Sequence, residues 1–163
     1  MASRTLTMKE TVAAFNIFQT SINYAKVRVK DDLGLGGSPW TSPPGFGSSN
    51  YILHVGETLY TDLAKNNNRK TVFIHELTHV WQGQHGVPLG YVLNSAFHQS
   101  VAAILSGGKV AKAYQYTPGL KWSQYNCEQQ ATIVDHWFRE GSYSSHANYV
   151  YITTNVRTGN PWA

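Results

Sequence analysis

From Arg69 to Gln82 the apolar residues Val72, Phe73, Leu77, Val80 and Trp81 recur at helical spacing, and Gly83 and Gly86 close the run. This is the strongest helical pattern in the chain, and it encloses His75-Glu76-Leu77-Thr78-His79, an H-E-x-x-H sequence. On a helix, positions four apart stand one turn apart on one face, so the two imidazoles can converge on a single ion. Glu76 lies beside that face, where its carboxylate can reach a water on the metal without having to ligate the metal itself. A zinc ion would lower that water's pKa and polarise a scissile carbonyl, while Glu76 takes the proton and passes it to the leaving amine. The alternative is a helix that carries the three residues by accident. The motif is short, and the helical context is what raises the metal reading above it.

Two histidines leave a catalytic zinc one protein ligand short. Cys127 is the only cysteine, so neither a disulfide nor a thiolate cluster can form, and any metal must be held by histidine and carboxylate. His85 follows His79 by six residues, as in the metzincin pattern H-E-x-x-H-x-x-G-x-x-H. That pattern is broken, because Gln82 stands where the turn glycine belongs and the only methionines are Met1 and Met8, too early for a Met-turn. Glu128 is the stronger candidate. It sits in a helix-like run with Asp135 seven residues later, close to two turns away and on the same face. A carboxylate on a second helix is how gluzincins complete their site, and Asp135 could accept a hydrogen bond from a ligating imidazole. Donors for an oxyanion are sought among Tyr125, Tyr143, His136 and His146, which lie near or after this helix; spacing selects none of them. His54 and His98 read as structural.

The rest of the chain predicts a helix over Thr7 to Thr20, with Val12, Phe15 and Phe18 in helical register, and a half-buried strand over Tyr24 to Val29. Asp31 to Asn50, rich in glycine and proline, reads as a long loop. Tyr51 to Tyr60 predicts one or two strands interrupted at Gly56, with Thr58 to Tyr60 as an edge along which a peptide could dock. Asp62 to Asn68 reads as a turn or short helix. Further helices are expected over Tyr91 to Leu105 and Tyr125 to Arg139, and a late strand or extended tail over Tyr149 to Val156. Strands early and helices later predict a single α+β domain over residues 1–163, with an active-site helix and a small sheet. A chain of 163 residues suffices for one core, so the motifs belong to one site.

A net charge of +4 invites an anionic partner, but the basic residues are scattered, and only Lys26, Arg28 and Lys30 group, on one face of a strand. That is a solvated face, and nucleic acid is set aside. No segment resembles a signal peptide, and no apolar run approaches the roughly 18 residues of a membrane span. A soluble protein exported by another route is expected.

Two stretches carry a family likeness. Gly56-Glu57-Thr58-Leu59-Tyr60 leading into Phe73-Ile74-His75-Glu76-Leu77-Thr78-His79-Val80-Trp81-Gln82, together with Tyr125-Asn126-Cys127-Glu128-Gln129-Gln130-Ala131, resembles the zincin metallopeptidase effector domains appended to type VI secretion spike and Rhs-type proteins. A looser similarity reaches back to the stretch from Ile22 to Val29. The resemblance implies His75, His79 and Glu128 as zinc ligands and Glu76 as catalyst. It also implies a toxin carried by a spike or Rhs protein into a rival bacterium, acting in the periplasm on peptide or protein substrates, with a cognate immunity protein. Two rivals stand beside peptide hydrolysis: a peptidoglycan amidase using the same zinc and base, and a non-enzymatic zincin-fold component of an injection particle.

Overall fold

Strand β1 (Ser3–Arg4) is followed by helix α1 (Met8–Phe18), strand β2 (Val27–Lys30), strand β3 (Trp40–Ser42), strand β4 (Tyr51–His54) and helix α2 (Gly56–Tyr60). Then come the long helix α3 (Asn67–Gln84), helix α4 (Cys127–Arg139) and a last helical segment, Tyr149–Tyr151 continuing into a π-helical turn, Ile152–Val156. The computed structural model describes residues 1–33, 37–45, 47–87 and 114–162. The helix expected over Tyr91 to Leu105, His98 included, lies outside them. The architecture is α+β, as the order of patterns predicts.

The four strands form one sheet in the order β1-β2-β4-β3. β2 and β4 run parallel, with Val29 opposite Leu53, while β1 and β3 pair antiparallel on the two edges. β2 buries Val27 and Val29 and leaves Arg28 and Lys30 half exposed, the alternation read from the sequence. It begins later than expected, because Tyr24–Lys26 is a 3₁₀ turn fastened by the Tyr24 hydroxyl to the Gln19 carbonyl at 2.8 Å. β3 is a correction to the long loop: Trp40 and Thr41 are good β-formers, and the surrounding glycines and prolines let them fold back onto β4.

A second correction concerns Tyr51 to Tyr60. Only Tyr51–His54 is a strand, and Gly56, at φ +73°, turns the chain into α2. A Cβ on Gly56 would stand 2.9 Å from the Leu33 side chain, so glycine is required by both conformation and space. Thr58 to Tyr60 are therefore helical, and the expected docking edge does not exist there. The third correction is the segment Tyr149–Val156, which is helical rather than extended. The Thr154 hydroxyl donates to the Val150 carbonyl, and Tyr151, Ile152, Asn155 and Val156 are buried on one side. Packing and local bonds outweigh the β-propensity of its residues.

In α1 the core face is Glu10, Ala14, Ile17 and Phe18, while Met8, Val12 and Phe15 are exposed. Both stripes have helical spacing. What selects the first is a salt bridge: buried Glu10 is held by Arg4 at 2.7 Å, by the Thr7 amide at 2.8 Å and by the Leu63 amide at 3.0 Å. The core gathers Phe18, Val27, Val29 and Leu53 around Phe73, Leu77 and Trp81, with Ile133, Trp137 and Ile152 from the C-terminal half. α3 thus lies between the sheet and α4, and every residue from Thr71 to Gln82 is buried. A helix buried all round must find partners for its polar residues inside the protein. Among the described residues no helix is long and apolar enough to cross a membrane.

Candidate metal centre

α3 is capped by Asn66, whose side chain accepts from the Arg69 amide, and runs through a polar first turn and the apolar Val72, Phe73 and Ile74 before presenting His75 and His79 towards α4. The imidazole centroids are 5.0 Å apart, with planes crossed at 80°. α4 begins with a capping box between Asn126 and Gln129, which puts Glu128 in its first turn and Asp135 two turns on. The His75 and Glu128 side chains meet at 3.2 Å, Nε2 to Oε2, and His79 Nε2 lies 3.5 Å from the same oxygen. One ligand atom from each of the three residues falls within 4.8 Å of the others.

Hydrogen bonds on the far sides of the rings fix which nitrogen faces inward. His75 Nδ1 is 2.8 Å from Asp135 Oδ2, and His79 Nδ1 is 2.8 Å from Gln82 Oε1. Both partner oxygens can only accept here, so the Nδ1 atoms carry protons and Nε2 is the nitrogen that each ring turns towards Glu128. The Gln82 amide is itself held, its Nε2 donating to the Cys127 carbonyl at 2.8 Å and to Gln130 Oε1 at 2.9 Å. Ligand atoms at bond lengths of 2.0–2.2 Å on a tetrahedral ion stand about 3.3 Å apart. The separations of 3.2 and 3.5 Å suit that geometry.

The charges point the same way. Glu76, Glu128 and Asp135 are buried beside His75 and His79, and among the described residues none of the three pairs with lysine or arginine. Buried carboxylates without a compensating charge are costly, and a cation would supply it. The surroundings register this imbalance. Burial alone would lower the pKa of His75, but the hydrogen bond it gives to Asp135, with Glu128 on its other side, pushes it up to about 10. His79 is raised likewise, Glu128 overcoming burial. Burial would raise Glu128, yet the two imidazoles hold it far below the usual carboxylate range. Glu76 is raised, burial outweighing His79, His75 and Thr41. Its Oε2 accepts from the Thr41 hydroxyl at 2.7 Å, and Oε1 has no donor among the described residues.

No family model matches the chain. It is 34% identical over 165 residues to the type VI secretion system spike protein VgrG2b of Pseudomonas aeruginosa, which aligns 97% of this chain with 15% of the relative. Among solved structures, it matches the effector domain of Pseudomonas aeruginosa VgrG2b with a TM-score of 0.63 and 32% identity, over 92% of this chain and 82% of that one. The chain belongs to the VgrG2b effector-domain family. The likeness to spike-borne effector domains read from the two motifs is thus borne out at the family level, while the chain spans only about 15% of the curated relative's length.

In this VgrG2b-type domain the other candidates stand apart from the trio. His85 caps α3 at its C-terminus; its Nε2 donates to the Ser21 carbonyl at 2.8 Å, and its ring packs on Trp81. The Tyr125 hydroxyl donates to the Thr117 carbonyl and contacts Tyr151. His136 pairs with the Tyr116 hydroxyl at 3.1 Å, His146 with Glu140 at 2.8 Å, and Tyr143 is exposed. His54 is tied to Asp32 and Ser42, in keeping with a structural role. Three neighbours of the centre were not foreseen. Gln82, three residues after His79, was legible as a partner from helical spacing alone. Thr41 lay hidden in a segment read as loop, and Tyr114, fully buried with its ring 6.1 Å from His75, follows the interval outside the described residues.

Proposed function

We propose that this chain is a zinc-dependent peptidase domain, with His75, His79 and Glu128 holding the ion, Asp135 and Gln82 orienting the two imidazoles, and Glu76 acting as general base. The observation that carries the reading is the convergence of two Nε2 atoms and one Glu128 oxygen at ligand spacing, with Oε1 of Glu76, which has no donor among the described residues, next to His75 on the same helix. Histidine and carboxylate donors suit zinc. When bound, the ion supplies Lewis acidity towards a peptide carbonyl and towards water. Glu76 Oε1 takes the proton of the attacking water and returns it to the leaving amine, and its raised pKa brings it closer to the neutral range where both transfers are efficient. No covalent intermediate is needed. Asp135, hydrogen-bonded to His75 Nδ1, orients that ring so that its Nε2 is the atom that would meet the ion.

Kinship with a spike protein supports delivery by a type VI secretion system, on a spike or Rhs carrier. The site of action on this reading is the periplasm of a target bacterium, the substrate a protein or peptide there, and the partner in the producing cell a cognate immunity protein. The test is cleavage of a mixed peptide library by the zinc-loaded protein beside Glu76→Gln, which should keep its metal. Cleavage by the wild type alone is expected. If neither protein cuts while both hold one zinc, general peptidase activity is refuted, and purified sacculi then test the amidase alternative.

A further inference from the structure

β3 is a three-residue edge strand, too short for its backbone ladder to hold it firmly, and side chains do the fastening. Ser42 Oγ lies 3.0 Å from His54 Nε2, and His54 Nδ1 lies 2.6 Å from Asp32 Oδ1. Trp40 stacks on the His54 ring at 4.4 Å, 14° from parallel. Burial lowers the pKa of His54 against the pull of Asp32, so its imidazole is neutral at pH 7. With the Nδ1 proton given to Asp32, Nε2 accepts from the Ser42 hydroxyl. Trp40 and Ser42 thus both engage His54, and the residue between them faces the other way.

That residue is Thr41. It is fully buried, and its hydroxyl lies 2.7 Å from Glu76 Oε2 and 3.1 Å from the Glu76 carbonyl oxygen. A hydroxyl has one proton to give, and the carboxylate is both nearer and the stronger acceptor. We propose that Thr41 is a positioning residue for Glu76: its hydroxyl anchors Oε2, leaving Oε1 to receive the proton of the attacking water, and the Asp32–His54–Ser42 chain sets the strand that carries it. This rests on the reading of Glu76 as general base. A glutamate side chain has several rotors, and fixing one oxygen removes most of the orientations in which the other misses the water.

Thr41→Val keeps the shape and removes the donor, and Thr41→Ser restores it. At full zinc occupancy, Thr41→Val is expected to lower kcat by about 10- to 100-fold with KM within about twofold, and Thr41→Ser to recover most of the loss. A packing role would not split kcat from KM in this way. The second readout needs no turnover: a double-mutant cycle of denaturation midpoints for Thr41→Val, Glu76→Gln and the pair, at saturating zinc. Non-additive midpoints are expected, and additive ones overturn the proposal, as does an unchanged kcat in Thr41→Val. A wild type that cleaves neither peptides nor sacculi sinks the enzymatic reading and the catalytic half of the proposal together. The cycle then decides separately whether Thr41 holds Glu76.

Discussion

His79 Nδ1 lies 2.8 Å from Gln82 Oε1, whereas His75 Nδ1 lies 2.8 Å from Asp135 Oδ2, so two histidines one turn apart are oriented by partners of different charge. The amide of Gln82 is pinned in turn by Cys127 and Gln130 at the start of α4. Helix packing and ligand orientation are therefore one network, and loosening either partner should loosen the metal. Replacing Gln82 by Ala, or Asp135 by Asn, is expected to weaken zinc binding by about 10- to 100-fold, read by chelator competition. Unchanged affinity in both variants would show that the rings are held by packing alone.

The identity of the third ligand is open to a paired test. Glu128→Ala removes the oxygen that both Nε2 atoms face, while His85→Ala removes a ring turned towards Ser21. The first should lower zinc affinity by roughly 100-fold or more, and the second should leave it within about threefold. The opposite ranking would move the site to the local histidine and discard Glu128.

Protons compete for this site. His75 is pushed up to about 10, so in the metal-free protein its ring holds a second proton at neutral pH that a metal must displace, and His79 is raised in the same direction. Apparent zinc affinity should fall by about 10-fold for each unit that pH drops between roughly 8 and 6, with proton release detectable by calorimetry in buffers of different ionisation heat. A flat affinity over that range would mean that the rings are neutral before metal arrives.

Glu10 governs a different property. Burial raises its pKa, but the Arg4 hydrogen bonds, with the Thr7 and Leu63 amides, overcome that and hold it below its ordinary value of 4.5. A carboxylate with a depressed folded pKa stabilises fully above its unfolded value, and the contribution is lost as pH falls through the folded one. Glu10→Gln should cost about 3 kcal/mol at pH 7 by urea denaturation. The difference from wild type should shrink below pH 4.5. A cost that is the same at pH 7 and pH 3 would place the effect in packing rather than charge.

Much of the centre was legible because helices translate sequence spacing directly into space. The H-E-x-x-H register, the run around Glu128 and the two-turn offset to Asp135 each follow from the pitch of one helix. The strand pattern failed at Gly56, where a positive φ converts β-forming residues into α2, and at Tyr149–Val156, where burial and hydroxyl bonds to the backbone favour a helix. The register of Val12, Phe15 and Phe18 shows the same limit: periodicity named a helix but not its buried face, for Val12 and Phe15 are exposed and Phe18 is buried, on the side fixed by the ion pair from Arg4 to Glu10.

The sequence by itself determined that His75 and His79 share a face, that no thiolate cluster could be built around them, and that a carboxylate such as Glu128 was the ligand type to seek. Only the tertiary structure decided that α4 lies against α3 so that Glu128 meets both Nε2 atoms, and that the edge strand β3 carries Thr41 onto Glu76. The reason is one of range. Spacing within an element is set by backbone geometry over a few residues, whereas meetings across 35 or 53 residues depend on how whole elements bury their apolar faces.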